Sequence, residues 1–405
     1  MTASSAVLEQ AALSVAAHRR IKRWLTLTPC IPSRLSLDDD TGLIFKAENF
    51  QKTGSFKFRG AMSKLTSLST DVPAITASSG NHGLALATAA QMTGHDLTVV
   101  LPETVAREKL SRIKALGVQT ILHSNDSGLA EQHAQKLAKE QGIIYCSPYN
   151  DPQVIAGQGT IALELLQQQP HLDVVYVSIG GGGLISGIGA VLKAFSPSTR
   201  LVGVSARHSA ELAASIRAGH SVQVTHSDTL ADGCAGGVDE GSITLPLGSE
   251  VIDELIDCTE DEIAEGIRHM AWSEKMLVEG SAGLAQAAWQ LDAPNRTNKV
   301  SAVVLCGANF DRDRIAPIIG SARGYKYFWL TFGGQNTDSS NWMARAEQDI
   351  IDAGGTGCAF DEDAHQLLAC RALNGLVVEL GNGRSSALEE IAEQLRLLSA
   401  NVAPP

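Results

Sequence analysis

Short apolar, β-prone runs alternate with helix-length segments through the first three quarters of the chain, and this alternation limits the fold more than any other feature. Runs at 42–46, 74–76, 97–101, 120–122, 173–178, 200–204 and 301–305 are rich in Val, Ile and Leu. Helical segments fit at 82–93, 104–116, 127–141, 153–168, 184–195 and 260–276. Strands buried on both faces read as continuous apolar runs, and neighbouring parallel strands need a crossover helix between them. The pattern predicts an α/β fold with parallel-rich sheets covered by helices. Near 322–326 the order changes. Strand 326–332, helix 340–353, strands near 356–360 and 375–380, and helix 385–398 predict a small C-terminal α+β appendix at 325–405. An effector-binding module, an interface element and a tail packed on the core all suit that appendix.

With 405 residues the chain is long enough for two or three compact units. A formal charge of −12 argues against nucleic acid and anionic membrane surfaces as partners. No apolar run reaches membrane-spanning length. In the first thirty residues the basic cluster follows the apolar stretch, the reverse of a secretory signal. Seven cysteines are scattered without a CxxC pair, which predicts a reducing, cytoplasmic setting and no disulfide framework. The histidines are equally dispersed and no HExxH occurs, so no metal site of close-spaced ligands is expected.

Three short stretches carry chemistry. GSFKFRGA at 54–61 puts Lys57 between Phe56 and Phe58. One reading is a surface helix whose lysine reaches water while the rings pack inward. The other is a desolvated amine, neutral enough to form a Schiff base. A second stretch, 173–187, runs from a strand into Gly180, Gly181, Gly182 and Gly183 and then into a helix. Successive N–H groups without Cβ atoms at a helix start form an anion cradle. The spacing is neither GxGxxG nor GxxxxGK[ST], so a single phosphate monoester suits it better than a dinucleotide. The third stretch, TASSGNHG at 76–83, offers hydroxyls, an amide and helix-start N–H groups. It suits a carboxylate, or ordinary N-capping. An apolar amine, a phosphate loop and a carboxylate loop together call for a cofactor with a phosphate and an aldehyde and a substrate with an amine and a carboxylate. Pyridoxal 5'-phosphate and an amino acid meet both requirements.

The stretch Glu48-x-x-Gln51-x-Thr53-Gly54-Ser55-Phe56-Lys57-x-Arg59-Gly60-Ala61 resembles the lysine motif of the fold type II (β-family) pyridoxal-phosphate enzymes, in their threonine/serine dehydratase and serine racemase branch. The loop 78–83, the tetraglycine, and the segments 229–233, 240–244, 278–283 and 305–309 extend the resemblance from about residue 20 to 320. It implies a large cofactor-binding domain from 1–72 and 150–322, a small substrate-loop domain at 73–149, and a C-terminal extension in the place of a regulatory domain. Lys57 would hold the cofactor aldehyde and Phe56 would pack near its ring. Asn81 would bond the ring hydroxyl, and Gly180, Gly181, Gly182 and Gly183 the phosphate. Ser78, Ser79, Gly80, Asn81 and His82 would take the substrate carboxylate.

Cys306 falls where the family has Ser or Cys beside the pyridine nitrogen. A thiol cannot hold a proton on that nitrogen as a carboxylate would, so the ring is a poorer electron sink. Loss of a β-substituent is then favoured over transamination. The resemblance implies dehydration and deamination of a β-hydroxy amino acid, with L-threonine and L-serine foremost, to a 2-oxo acid and ammonia. Related β-hydroxy compounds, including 3-hydroxyaspartate, phenylserine and an intermediate of osmolyte breakdown, stay open as substrates, because pocket shape is not legible in the sequence. Two departures qualify this. Ser79 stands where many dehydratases have Ala and serine racemases have Ser, a second acid–base group that supports a racemase as the alternative. Ser205 stands where metal-binding relatives often have Glu, although Glu211 follows nearby. A non-catalytic amino-acid sensor is a further alternative. Homo-oligomerisation, as a dimer or tetramer, is expected by analogy.

Overall fold

The computed structural model describes residues 3–34, 42–292, 298–320, 330–331, 355–361 and 366–372. Residues 1–319 and 320–405 are two compact units. Ten strands lie among the described residues of the first unit: β1 (Cys30–Pro32), β2 (Leu43–Lys46), β3 (Ala74–Ala77), β4 (Leu97–Leu101), β5 (Gln119–Leu122), β6 (Ile144–Tyr145), β7 (Val174–Ser178), β8 (Arg200–Ala206), β9 (Glu254–Cys258) and β10 (Ser301–Val304).

They form two sheets. A six-stranded sheet has the order β1-β2-β10-β7-β8-β9, and every pairing in it is parallel except the edge hairpin of β1 with β2. A four-stranded sheet, β5-β4-β3-β6, is parallel throughout. The fold is α/β with parallel-rich sheets, as the alternation requires. The strands β1, β6 and β9 do not stand out in the sequence. Each sits at a sheet edge, is short or half-buried, and so lacks the apolar run of a central strand.

Burial follows this topology. β2, β7 and β10 are buried along their whole length. The helices Ser5–Ile21, Pro152–Gln168 and Gly183–Phe195 pack together, and Glu260–Trp272 and Gly280–Leu291 form a second packed pair. Their residues and the large sheet make one core that includes Phe45, Val175, Tyr176, Ile185, Val202 and Val304. Each such side chain is stabilised by about 1.5–3 kcal/mol relative to exposure. The small sheet has its own core, with Phe58, Met62, Leu86, Val99 and Leu101 on one face and Ala130, Ala134 and Ala138 on the other.

A buried charge network ties the helix Lys57–Leu65 to the large sheet. Arg59 donates from Nε and Nη2 to Glu48 at 2.7 and 2.8 Å, and from Nη1 and Nη2 to Glu164, both at 2.7 Å. Lys46 donates to Glu164 at 2.8 Å and to the Thr28 carbonyl at 2.8 Å. Two cations meet two anions with hydroxyls of Thr28 and Thr160 completing the set, so the charges are matched away from water.

In the second unit, β11 (Leu330–Thr331), β12 (Gly355–Asp361) and β13 (Gln366–Ala372) form an antiparallel sheet of order β11-β13-β12. The switch from parallel to antiparallel pairing coincides with the break read near 322–326. β13 is not evident in the sequence, because QLLACRA has the composition of a helix as much as of a strand. The helices expected at 340–353 and 385–398 and the strand at 375–380 lie outside the described residues.

Candidate active site

Lys57 is placed by backbone pairing between its own loop and the segment after β10. Asn49 N donates to Leu305 O, Phe56 N to Cys306 O and Ala308 N to Gly54 O, at 2.9 Å each. Gly54 makes the turn with φ +75°, and a Cβ there would lie 2.8 Å from the Asn309 amide oxygen, so glycine is required on both counts. The helix begins at Lys57 itself. Successive helical positions then point apart: Phe58 into the small-sheet core, Arg59 into the charge network, and Lys57 towards a cavity. This resolves the two readings of GSFKFRGA in favour of a desolvated amine. Lys57 is half-buried as a residue, but its Nζ donates to the Pro148 carbonyl at 2.9 Å inside the cavity wall. Burial lowers its pKa to about 8, against the opposing pull of Cys234, Cys306 and Glu279.

The cavity has a volume of 740 Å³. It brings together Phe56, Lys57, Ser78, Ser79, Gly80, Asn81, His82, Gly180, Gly181, Gly182, Gly183 and Cys306, from four separate stretches of the chain. The tetraglycine connects β7 to the helix Gly183–Phe195, turning at Gly182 with φ +88°. No side chain caps this helix. Its first N–H groups therefore lack intrahelical partners at the cavity wall, where an anion would satisfy them. The ring of Tyr149 packs so closely that a Cβ on Gly181 would lie 2.4 Å from it. The helix Asn81–Thr93 is a second uncapped start on the same cavity, with Gly80 at its N-cap. In His82, Nε2 donates to the Cys146 carbonyl at 3.0 Å, while Nδ1 is buried without a partner among the described residues. Burial, reinforced by Lys57, lowers the His82 pKa to about 3 and keeps the ring neutral.

Four residues that bear on the site are not evident as such in the sequence. Glu279 lies on the cavity floor, with both carboxylate oxygens 3.1 Å from Asn81 Nδ2. Asn309 donates from its backbone N to Glu279 and from Nδ2 to Asn81 Oδ1 at 2.8 Å, so the Asn81 amide is held from both ends. Pro148 and Tyr149 supply the lysine acceptor and the wall against the glycines. The available signals were the glutamate inside the otherwise apolar and small-residue stretch VEGSAG and the membership of Glu279 and Asn309 in the resembling segments 278–283 and 305–309. Ser205 is buried and its hydroxyl has no partner among the described residues, while Glu211 accepts from Val238 N and pairs with His226.

The features of a cofactor site are therefore present in the chain: an amine in a dry wall, an uncapped four-glycine helix start, and an orphaned buried imidazole nitrogen. The L-threonine ammonia-lyase of Thermotoga maritima is 36% identical over 323 residues, covering 78% of this chain and 80% of that protein. Among solved structures, the processed threonine deaminase isoform 2 of Solanum lycopersicum aligns with TM-score 0.74 and 29% identity, over 79% of this chain and 94% of that one. The maize serine racemase aligns with TM-score 0.70 and 29% identity, over 76% and 95%. Residues 21–307 match the model of the pyridoxal-phosphate dependent enzymes, and this chain belongs to that family.

Proposed function

We propose that this enzyme dehydrates and deaminates a β-hydroxy amino acid, foremost L-threonine or L-serine, releasing a 2-oxo acid and ammonia. What carries the reading is the meeting, in one cavity, of a desolvated lysine with two uncapped helix starts, one suited to a phosphate and one to a carboxylate. The similarity to an L-threonine ammonia-lyase over most of both chains supports the same reaction.

Bound pyridoxal phosphate supplies an aldehyde that condenses with amines and a conjugated ring that accepts the electrons of a broken Cα–H bond. Lys57 Nζ would hold the cofactor aldehyde, and the same amine would serve as the base for the substrate Cα proton. Gly180, Gly181, Gly182 and Gly183 bind the phosphate through backbone N–H groups. Phe56 would pack beside the ring, Asn81 would bond the ring hydroxyl, and Cys306 would face the ring nitrogen as a neutral thiol, because burial raises its pKa well above 9. Ser78, Ser79, Gly80, Asn81 and His82 hold the substrate carboxylate. We assign residues 1–72 and 150–322 to a cofactor domain and 73–149 to a substrate-loop domain. We place the enzyme in the cytoplasm as a homo-oligomer; Cys30, Cys146, Cys234, Cys258 and Cys306 are free thiols.

A 2-oxo acid assay across β-hydroxy amino acids tests the reaction. Threonine or serine should give 2-oxobutanoate or pyruvate with equimolar ammonia, and a panel with no 2-oxo acid sinks the reading. Racemisation is a second reading, favoured by Ser79, which lines the cavity and whose hydroxyl makes no hydrogen bond to another described residue. D-Serine accumulating from L-serine without pyruvate, seen by chiral chromatography, decides for it.

Two further outcomes concern cofactor capture. Because the Lys57 pKa is depressed to about 8, its neutral fraction grows as pH rises towards that value. The rate at which apoprotein captures pyridoxal phosphate, followed by absorbance, should climb up to about pH 8 and then level. A rate still climbing steeply at pH 10, near the ordinary lysine range, contradicts the desolvated amine. Gly181→Ala forces a methyl into the Tyr149 ring, an overpacking cost of about 1–3 kcal/mol at the phosphate loop. Cofactor affinity should fall about tenfold or more, measured by equilibrium titration of the apoprotein.

A further inference from the structure

Glu279 occupies the N-cap position of the helix Gly280–Leu291, yet its side chain makes no capping hydrogen bond. The carboxylate turns instead into the cavity floor, where the residue is 3% exposed. There it accepts from Asn81 Nδ2 at 3.1 Å and from Asn309 N at 3.0 Å. Cys306 Sγ lies 3.9 Å from Oε1, within reach of a thiol donor. The carboxylate presses on the Cys306 side of the floor so closely that a Cβ on Gly307 would lie 2.6 Å from it. No Lys, Arg or His is within ion-pair distance of Glu279 among the described residues. A buried acid without an ion pair costs stability, and neither helix capping nor core packing explains it.

We propose that Glu279 is a positioning residue that fixes the Asn81 amide and sets the direction in which the Cys306 thiol hydrogen points. When Glu279 is ionised, it accepts the thiol hydrogen, and the sulfur turns a lone pair to the cavity. When Glu279 carries a proton, it no longer draws that hydrogen, and the thiol can donate into the cavity. A pyridine nitrogen lodged beside Cys306 meets a hydrogen-bond donor in the second state and a repelling lone pair in the first. A donor withdraws electrons from the ring and a lone pair does not, so the charge on Glu279 grades the electron sink through the thiol. The inference rests on the placement of the ring beside Cys306 in the reading above, but its test does not need turnover.

The ionisable groups facing Glu279 are Lys57, Asp232, Cys234 and Cys306. Burial, against the hydrogen bond from Asn81, raises the Glu279 pKa to about 7. Cys234 is pushed up to about 12 and Cys306 well above 9, so both stay thiols near neutrality. Lys57 titrates close by, at about 8, so the decisive comparison is with Glu279→Gln.

The S–H stretching band of Cys306, identified by its loss in Cys306→Ser, is read by infrared difference spectroscopy on the full chain, with and without pyridoxal phosphate, from about pH 5.5 to 8.5. In the wild-type protein the band should shift with a midpoint near 7, and in Glu279→Gln it should not move. With cofactor bound, the absorbance maximum should follow the same titration in the wild type only. A band that stays fixed in the wild-type protein, or shifts equally in the Gln variant, overturns the proposal. If the Gln variant does not fold, the wild-type band still decides, with Lys57→Ala as the comparison: a midpoint that survives removal of the amine supports Glu279, and its disappearance overturns the proposal. A band that shifts in an enzyme producing no 2-oxo acid supports the role of Glu279 while the dehydratase reading falls.

Discussion

Lys57→Ala should lower turnover of a β-hydroxy amino acid by at least about 10²–10⁴-fold, the usual contribution of a positioned base, and should abolish covalent capture of pyridoxal phosphate. The variant should still fold. Among the described residues Lys57 makes one hydrogen bond, to the Pro148 carbonyl at the cavity wall, and takes no part in the charge network that secures its helix. Removing it also relieves the cost of a desolvated ammonium. Two measurements check the expectation together: 2-oxo acid production, and borohydride reduction of the loaded protein followed by peptide mapping. In the wild-type chain the reduced tag should sit on residue 57. Unimpaired turnover in the variant, or a tag on another lysine, removes the basis of the proposed chemistry. Loss of structure in the variant, seen by circular dichroism, contradicts the view that this lysine serves chemistry and Arg59 serves architecture.

Arg59→Met should destabilise the first unit by about 3–5 kcal/mol, the cost of removing one partner from a buried ion pair. Arg59 is fully buried, and its guanidinium holds the carboxylates of Glu48 and Glu164 in two bidentate pairs. Methionine fills much of the volume, but it leaves those two carboxylates with Lys46 as their only buried cation among the described residues. The expected readout is a lower midpoint in denaturant unfolding with little change in slope. A loss below about 1 kcal/mol, as for an exposed pair, means that the network is hydrated in solution. Arg59→Lys should recover only part of the stability, because a single ammonium cannot satisfy two carboxylates in parallel. The network also bears on function, since it anchors the helix whose first residue is Lys57.

The alternation of buried strands and helices was legible because central parallel strands are covered on both faces and carry few polar residues. β4, β7 and β10 therefore announced themselves, while the edge strands β1, β6 and β9, half in water, did not. Loops with unusual backbone demands were legible for a related reason. Four glycines before a helix, or a glycine ahead of Ser55, record what the backbone must do, and that requirement is local. The lysine between two phenylalanines was ambiguous, since helix geometry alone does not say which side chain meets the core and which meets a cavity.

What the sequence by itself determined was the fold class and the set of loops able to take an amine, a phosphate and a carboxylate. Local covalent geometry and the spacing of apolar residues suffice for both. Only the tertiary structure decided that Lys57 loses its water, that Arg59 is matched by Glu48 and Glu164 at opposite ends of a network, and that Glu279 meets Asn81 across a sequence separation of 198. Those outcomes depend on burial and on partners distant in the chain, and the free energy of a charged group is set by its surroundings, not by its neighbours in sequence.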